Sequence, residues 1–136
     1  MTQKADTLFT NAIVLTMDGK LNQYDPGAVV VKGDSIVAVG PEAEITKEYS
    51  ADEVIDCGGK VLMPGLVNAH THVPMTLLRG LADDLRLDVW LMGYMLPVER
   101  EFVSPEFVRL GTSLACAEQI RSGVTTFNDM YFFEDD

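Results

Sequence analysis

His70 and His72 are the only histidines in this 136-residue chain, and one residue separates them. In a β-strand, side chains at i and i+2 project from the same face. A strand over residues 65–72 therefore sets both imidazoles side by side at its carboxyl end. There they can grip a divalent metal such as zinc, although a bare His-x-His is more often chance or a hydrogen-bonded pair. A buried imidazole needs a hydrogen-bond or metal partner, because its ring nitrogens are costly to desolvate alone. The run from Val61 to Ala69 carries no charge, which predicts a strand buried on both faces of a parallel sheet.

The elements around this stretch follow from local signals. Residues 7–16 are apolar and β-branched and predict a strand, ended by the turn pair Asp18-Gly19. Pro26-Gly27 predicts a second turn. Ala28–Val31 and Ile36–Val39 then form a β-hairpin across Lys32-Gly33-Asp34-Ser35, with Gly33 free to take a positive φ. Pro41–Ser50 is polar and reads as a short helical or irregular crossing, Val54–Asp56 as a brief strand, and Cys57-Gly58-Gly59 as a turn. Residues 1–60 thus predict a small antiparallel β unit with a scaffolding role.

Beyond His72, Val73-Pro74 restricts the chain direction and Met75–Leu81 allows a helical turn or two. Asp88 is the expected N-cap of a helix from Val89 to about Phe102, kinked or interrupted at Pro97. Ser104-Pro105-Glu106 is a stronger start signal, a capping residue followed by proline at the first helical position. Phe107, Leu110, Leu114 and Ala117 recur at the spacing of one helical face, and Gly123 closes the helix. Val124–Asn128 reads as a second strand parallel to the first. Strand, helical crossover and strand make a βαβ unit. His70 and His72 lie at the carboxyl end of its first strand, Asp129 and Tyr131 at that of its second.

Other polar and aromatic residues have bland readings. Glu99 by spacing alone is a solvated helix glutamate paired with Arg100 or another neighbour. Trp90 is open to two roles, the wall of a ligand pocket or packing between helix and sheet, with packing favoured. Met75, Met92 and Met95 read as core, and Arg79 and Arg86 as solvated surface rather than partners of a carboxylate-bearing substrate. Asp129 is open to two roles, a hydrogen bond near the histidines or a helix cap.

Composition bounds the partners. Hydrophobic residues make up 47% of the chain, so it is globular in character. Twenty-one acidic against ten basic residues give a net charge of −11, spread over both halves. Phosphate binding needs a basic patch, so neither nucleic acid nor an anionic membrane is an expected partner. No apolar run approaches the ~20 residues that span a bilayer, and Met1–Asp6 has no signal-peptide character. Cys57 and Cys116 are far apart and predict small core residues in a cytoplasmic protein.

The stretch Lys60-Val61-Leu62-Met63-Pro64-Gly65-Leu66-Val67-Asn68-Ala69-His70-Thr71-His72 resembles the first barrel strand of the metal-dependent amidohydrolases. Leu77-Leu78-Arg79-Gly80, Trp90-Leu91, Pro97-Val98-Glu99 and Gly123–Tyr131 narrow the resemblance. They are similar to the 5-methylthioadenosine/S-adenosylhomocysteine deaminases and their chlorohydrolase and aminohydrolase relatives. The resemblance implies an α/β fold, the start of a (β/α)8 barrel (residues 61–136) preceded by half of a composite β-sandwich (residues 1–60). A closed barrel takes roughly 250 residues, so the expectation is the front of a longer enzyme.

The resemblance also implies a divalent metal at His70 and His72, with zinc expected and iron or manganese compatible. It implies an adenosine-type nucleoside thioether as substrate, deaminated by hydrolysis. Glu99 matches the substrate-binding glutamate of that group, whose two carboxylate oxygens receive a ribose diol. Further ligands and the general acid and base would come from later strands, so no residue here is assigned as catalytic, and the 136 residues alone are expected to be inactive. The alternatives are a hydrolase of triazines or other heterocycles, which offer no diol, and a non-catalytic assembly protein.

Overall fold

The computed structural model describes residues 2–133. The chain divides into two compact units, Met1–Pro64 and Gly65–Asp136.

The first unit is a five-stranded sheet made of β1 (Gln3–Leu15), β2 (Gln23–Lys32), β3 (Ser35–Pro41), β4 (Tyr49–Asp56) and β5 (Val61–Leu62), with one helix, α1 (Glu42–Glu48). The order is β3-β2-β1-β4, and β5 also pairs with β1. The β2–β3 hairpin forms as expected, with Gly33 at φ +62°. Asp6 accepts a hydrogen bond from the Gly33 amide at 2.6 Å, which ties the turn to β1.

Two expectations fail in this unit. It is not antiparallel throughout, because β4 and β5 run parallel to β1. The helix α1 carries the chain back across the sheet after β3, and parallel neighbours require such a crossover. Pro26-Gly27 is not a turn but lies inside β2. Its pairing with β3 begins only at Gly27, opposite Pro41, so Pro26 has no β3 neighbour asking for an amide proton.

The core forms on both faces of this sheet. Leu8, Ala28 and Val30 pack with Ile45 of α1 on one side. Strict alternation from Leu8 would carry Ala12 and Val14 to that same side. Instead they pack with Val29 and Phe9, because the β1–β2 register shifts between Phe9 and Ala12 and Asn11 sits there at φ +51°. An inserted residue reverses which side chains face which way. Asn11 is held by Glu42 at its amide, 2.6 Å, and by Asp56 at its side chain, 2.8 Å.

The second unit pairs β6 (Leu66–Thr71) in parallel with β7 (Val124–Asp129). Between them come a 3₁₀ turn at Val73–Leu78 and a continuous helical run from Leu87 to Phe102. The long helix α4 (Pro105–Arg121) follows. The helical run consists of α2 (Leu87–Trp90), a π-helical turn (Leu91–Met95) and α3 (Leu96–Phe102), with Pro97 in the first turn of α3. A wider π turn ahead of a proline relieves its clash with the preceding carbonyl and its missing hydrogen bond. Asp88 does not cap this run: Arg86 occupies the cap position and its guanidinium holds the Asp88 carboxylate. Ser104 caps α4, its Oγ accepting from the Phe107 amide at 3.2 Å, and Gly123 ends it at φ +80°.

The buried face of α4 is Val108, Gly111 and Ala115, not the face read from the sequence. Leu110 is 60% exposed and Leu114 is also exposed. Gly111 decides the orientation: a Cβ there would lie 2.5 Å from the Pro74 carbonyl oxygen. Only glycine lets the 3₁₀ turn approach α4 this closely. Gly65 does the same at the start of β6, where a Cβ would meet the Thr125 side chain. The expected double-sided burial of β6 is absent, and Val67 is 67% exposed. The sheet of this unit has two strands, so it covers little of either face.

Candidate active site

The carboxyl end of β6 carries the two histidines. Their rings lie on one side of the strand, centroids 5.2 Å apart and nearly perpendicular. Thr71, between them, points the other way and is buried. This is the period of two expected of a strand. His70 is exposed and His72 half-buried.

Three successive residues at the end of β7 brace this strand end and its surroundings. Asp129 accepts from the Val73 amide at 3.1 Å and lies 3.0 Å from Thr71 Oγ1, so its carboxylate locks the chain on either side of His72. The Met130 carbonyl lies 2.7 Å from His72 Nδ1. A carbonyl only accepts, so Nδ1 carries the proton and Nε2 keeps its lone pair for a metal. A second hydrogen bond of this kind orients a ligating imidazole and selects its tautomer. Tyr131 donates its phenol proton to Glu99 Oε1 at 2.8 Å. Burial, then the Glu99 bond, then the charges of Glu99 and Asp129 push that phenol far above its ordinary range, so it stays a donor.

Glu99 lies in the first turn of α3 and is half-buried. It is not paired with Arg100; the ion pairs among the described residues are Lys4–Asp52, Arg79–Glu118 and Arg86–Asp88. Both Arg79 and Arg86 are therefore surface groups, as expected. A cleft of about 400 Å³ is lined by His72, Met75, Trp90, Met95, Glu99 and Tyr131, among others. It joins one histidine and the glutamate in a single apolar-walled space, with Trp90 as part of the wall. Met95 is buried, but Met92 is 65% exposed and is not core.

The donor set fits part of a metal centre. Two imidazoles on one face, one with its tautomer selected, offer nitrogen lone pairs that suit zinc, iron or manganese. Among the described residues, no third histidine, cysteine, aspartate or glutamate joins them in a metal-holding group. Neither Met130 nor Tyr131 has a role that residue type or spacing alone would assign. A backbone carbonyl carries no residue-type signal. Tyr131 could have been found only from its place two residues beyond Asp129 at the same strand end.

A parallel βα unit with paired histidines at the carboxyl end of its first strand is the opening of an amidohydrolase-type barrel. Residues 61–136 match the amidohydrolase family, and the chain belongs to it. Residues 27–49 match the imidazolonepropionase-like composite domain of bacteria.

Among curated proteins, the chain is 50% identical over 131 residues to the 5-methylthioadenosine/S-adenosylhomocysteine deaminase of Syntrophobacter fumaroxidans. It covers 96% of this chain and 30% of that protein. It is also 50% identical to the 5'-deoxyadenosine deaminase of Methanosarcina mazei, over 97% of this chain and 29% of that protein. The chain thus spans about 30% of the length of the curated relatives it matches. Among solved structures, an adenosine deaminase from Xanthomonas campestris with bound zinc superposes with a TM-score of 0.92 at 44% identity. That match covers 99% of this chain and 31% of the other. Atrazine chlorohydrolase from Arthrobacter aurescens superposes at 0.81 with 24% identity over 93% of this chain and 29% of its own, a likeness of fold.

Proposed function

We propose that this chain is the front part of a metal-dependent hydrolytic deaminase of adenosine-type nucleosides, with 5-methylthioadenosine, S-adenosylhomocysteine and 5'-deoxyadenosine as the substrate class. The products are the inosine analogue and ammonia. The observation that carries the reading is one cleft lined by both His72 and Glu99. The relatives' names supply the substrate class. His70 and His72 hold the metal, with zinc the first choice because the Xanthomonas campestris structure contains it. When bound, such a metal supplies the Lewis acidity that makes water a nucleophile at neutral pH.

The chain's own residues do the rest of this half-site's work. The Met130 carbonyl keeps the proton on His72 Nδ1. Asp129 locks the backbone at Thr71 and Val73. Glu99 receives the ribose diol, while Trp90, Met75 and Met95 give the cleft an apolar wall. Residues 1–60 act as scaffold, and residues 61–136 open a barrel completed by further strands. The isolated 136 residues are expected to be inert, because the general acid and base of the reaction are assigned to later strands. No described helix is long and apolar enough to cross a membrane; a cytoplasmic location fits two free thiols and an acidic surface.

The test is Glu99→Gln in the full-length enzyme, assayed on adenosine and on 2',3'-dideoxyadenosine. The diol loses charge-assisted hydrogen bonds, so kcat/KM for adenosine falls roughly 10- to 100-fold. The dideoxy substrate, which has no diol, is turned over as before. Equal losses on both substrates would remove Glu99 from the diol role.

A further inference from the structure

We propose that Tyr131 is a positioning residue that holds Glu99 ready for the diol and thereby sets the preference for substrates bearing both ribose hydroxyls; this rests on the role given to Glu99 above. Tyr131 and Glu99 are 32 residues apart in sequence, yet the phenol donates to Glu99 Oε1 at 2.8 Å. Both line the cleft that also contains His72. The Tyr131 ring lies 6.5 Å from the His72 ring and 5.1 Å from that of Phe132, so its direction is set by packing on two sides.

A glutamate without such a partner samples several rotamers, and a ligand that needs one of them must freeze it on binding. The Tyr131 bond does this before substrate arrives. It uses one acceptor position on Oε1. The other position on Oε1 and both on Oε2 are left, enough for two neighbouring hydroxyls. The same backbone segment selects the His72 tautomer through Met130. One short stretch therefore registers the diol-binding group and the metal-binding group to each other. A tyrosine that merely tied β7 to α3 would show the same hydrogen bond but would have no effect on substrate preference.

The experiment compares wild type, Tyr131→Phe, Glu99→Gln and the double variant of the full-length enzyme. Each is assayed on adenosine and 2',3'-dideoxyadenosine, with metal content and melting temperature measured alongside. Tyr131→Phe removes one oxygen and keeps the ring against Phe132, so the fold and metal content are retained. The expected result is a KM for adenosine raised roughly tenfold, with kcat within about twofold, no change for the dideoxy substrate, and a double variant no worse than Glu99→Gln. Equal weakening on both substrates would make Tyr131 a brace only and overturn the proposal; so would no change on either. If Glu99→Gln discriminates and Tyr131→Phe does not, the Tyr131 inference fails alone. Should Glu99→Gln itself not discriminate, the diol reading fails and this proposal goes with it.

Discussion

The two units place their apolar residues differently. In the first, β1 and β2 bury Ala5, Leu8, Ala28 and Val30 within one sheet and under one helix. In the second, Leu66 and Val67 of β6, Met130 beyond β7 and Leu110 and Leu114 of α4 are all exposed. Its buried residues lie chiefly where the 3₁₀ turn meets α4, at Val73, Pro74, Val108 and Ala115. The unit with the fuller core carries none of the candidate chemistry, and the sparser one carries all of it. The cluster of the first unit and the strand ends of the second are therefore separate targets for substitution, and the exposed apolar faces of the second are those that further barrel strands would cover.

The largest expected effect is on the second unit. His72→Ala in the full-length enzyme removes a proposed metal ligand, so bound metal is lost and turnover falls by more than roughly a thousandfold. Compared metal-free, the fold loses the Met130 hydrogen bond, about 1 kcal/mol; in the metal-loaded protein the stabilisation by bound metal is lost as well. Metal analysis beside denaturant unfolding checks both halves. Retained metal with a collapsed fold would reverse the comparison.

Leu8→Ala is the counterpart in the first unit. Leu8 is buried in its cluster, so truncation destabilises by about 2–5 kcal/mol. Metal content per folded molecule should not change. A loss of metal in the folded fraction would show that the two units do not divide the work.

The smallest effect sharpens the contrast through pH. Arg79 makes a two-pronged pair with Glu118, at 3.1 and 2.6 Å, joining the end of the 3₁₀ turn to α4. The Arg79 hydrogen bond lowers the Glu118 pKa. A carboxyl depressed in the folded state contributes stability above its unfolded pKa and loses it as pH falls through the folded one. In the first unit, the Gly58 amide and then Asn11 lower the Asp56 pKa in the same direction. Unfolding curves from neutral to acid pH should show that Arg79→Ala flattens part of the acid loss. Added salt should mimic that substitution at Glu118 and spare Asp56, whose main partner is an uncharged amide. An acid limb unchanged by Arg79→Ala would mean the pair contributes nothing.

Much of this was legible from residue types and short spacings. Ser104-Pro105 starts a helix because a hydroxyl can cap the first turn and proline has no amide proton to waste there. Gly33 and Gly123 take positive φ because no Cβ resists it. The same-side placement of His70 and His72 follows from the period of a strand, and the family resemblance was readable from that motif onward. These are effects of sterics and periodicity reaching only a few residues along the chain.

Other features depended on which distant segments meet. The direction of β4, the face that α4 buries and the exposure of β6 are matters of neighbours, not of propensity. So are the Met130 carbonyl on His72, 58 residues away, and the Tyr131 phenol on Glu99. The Met130–His72 contact follows from the register of β7 on β6, and a pairing register between segments so far apart leaves no local mark in the sequence.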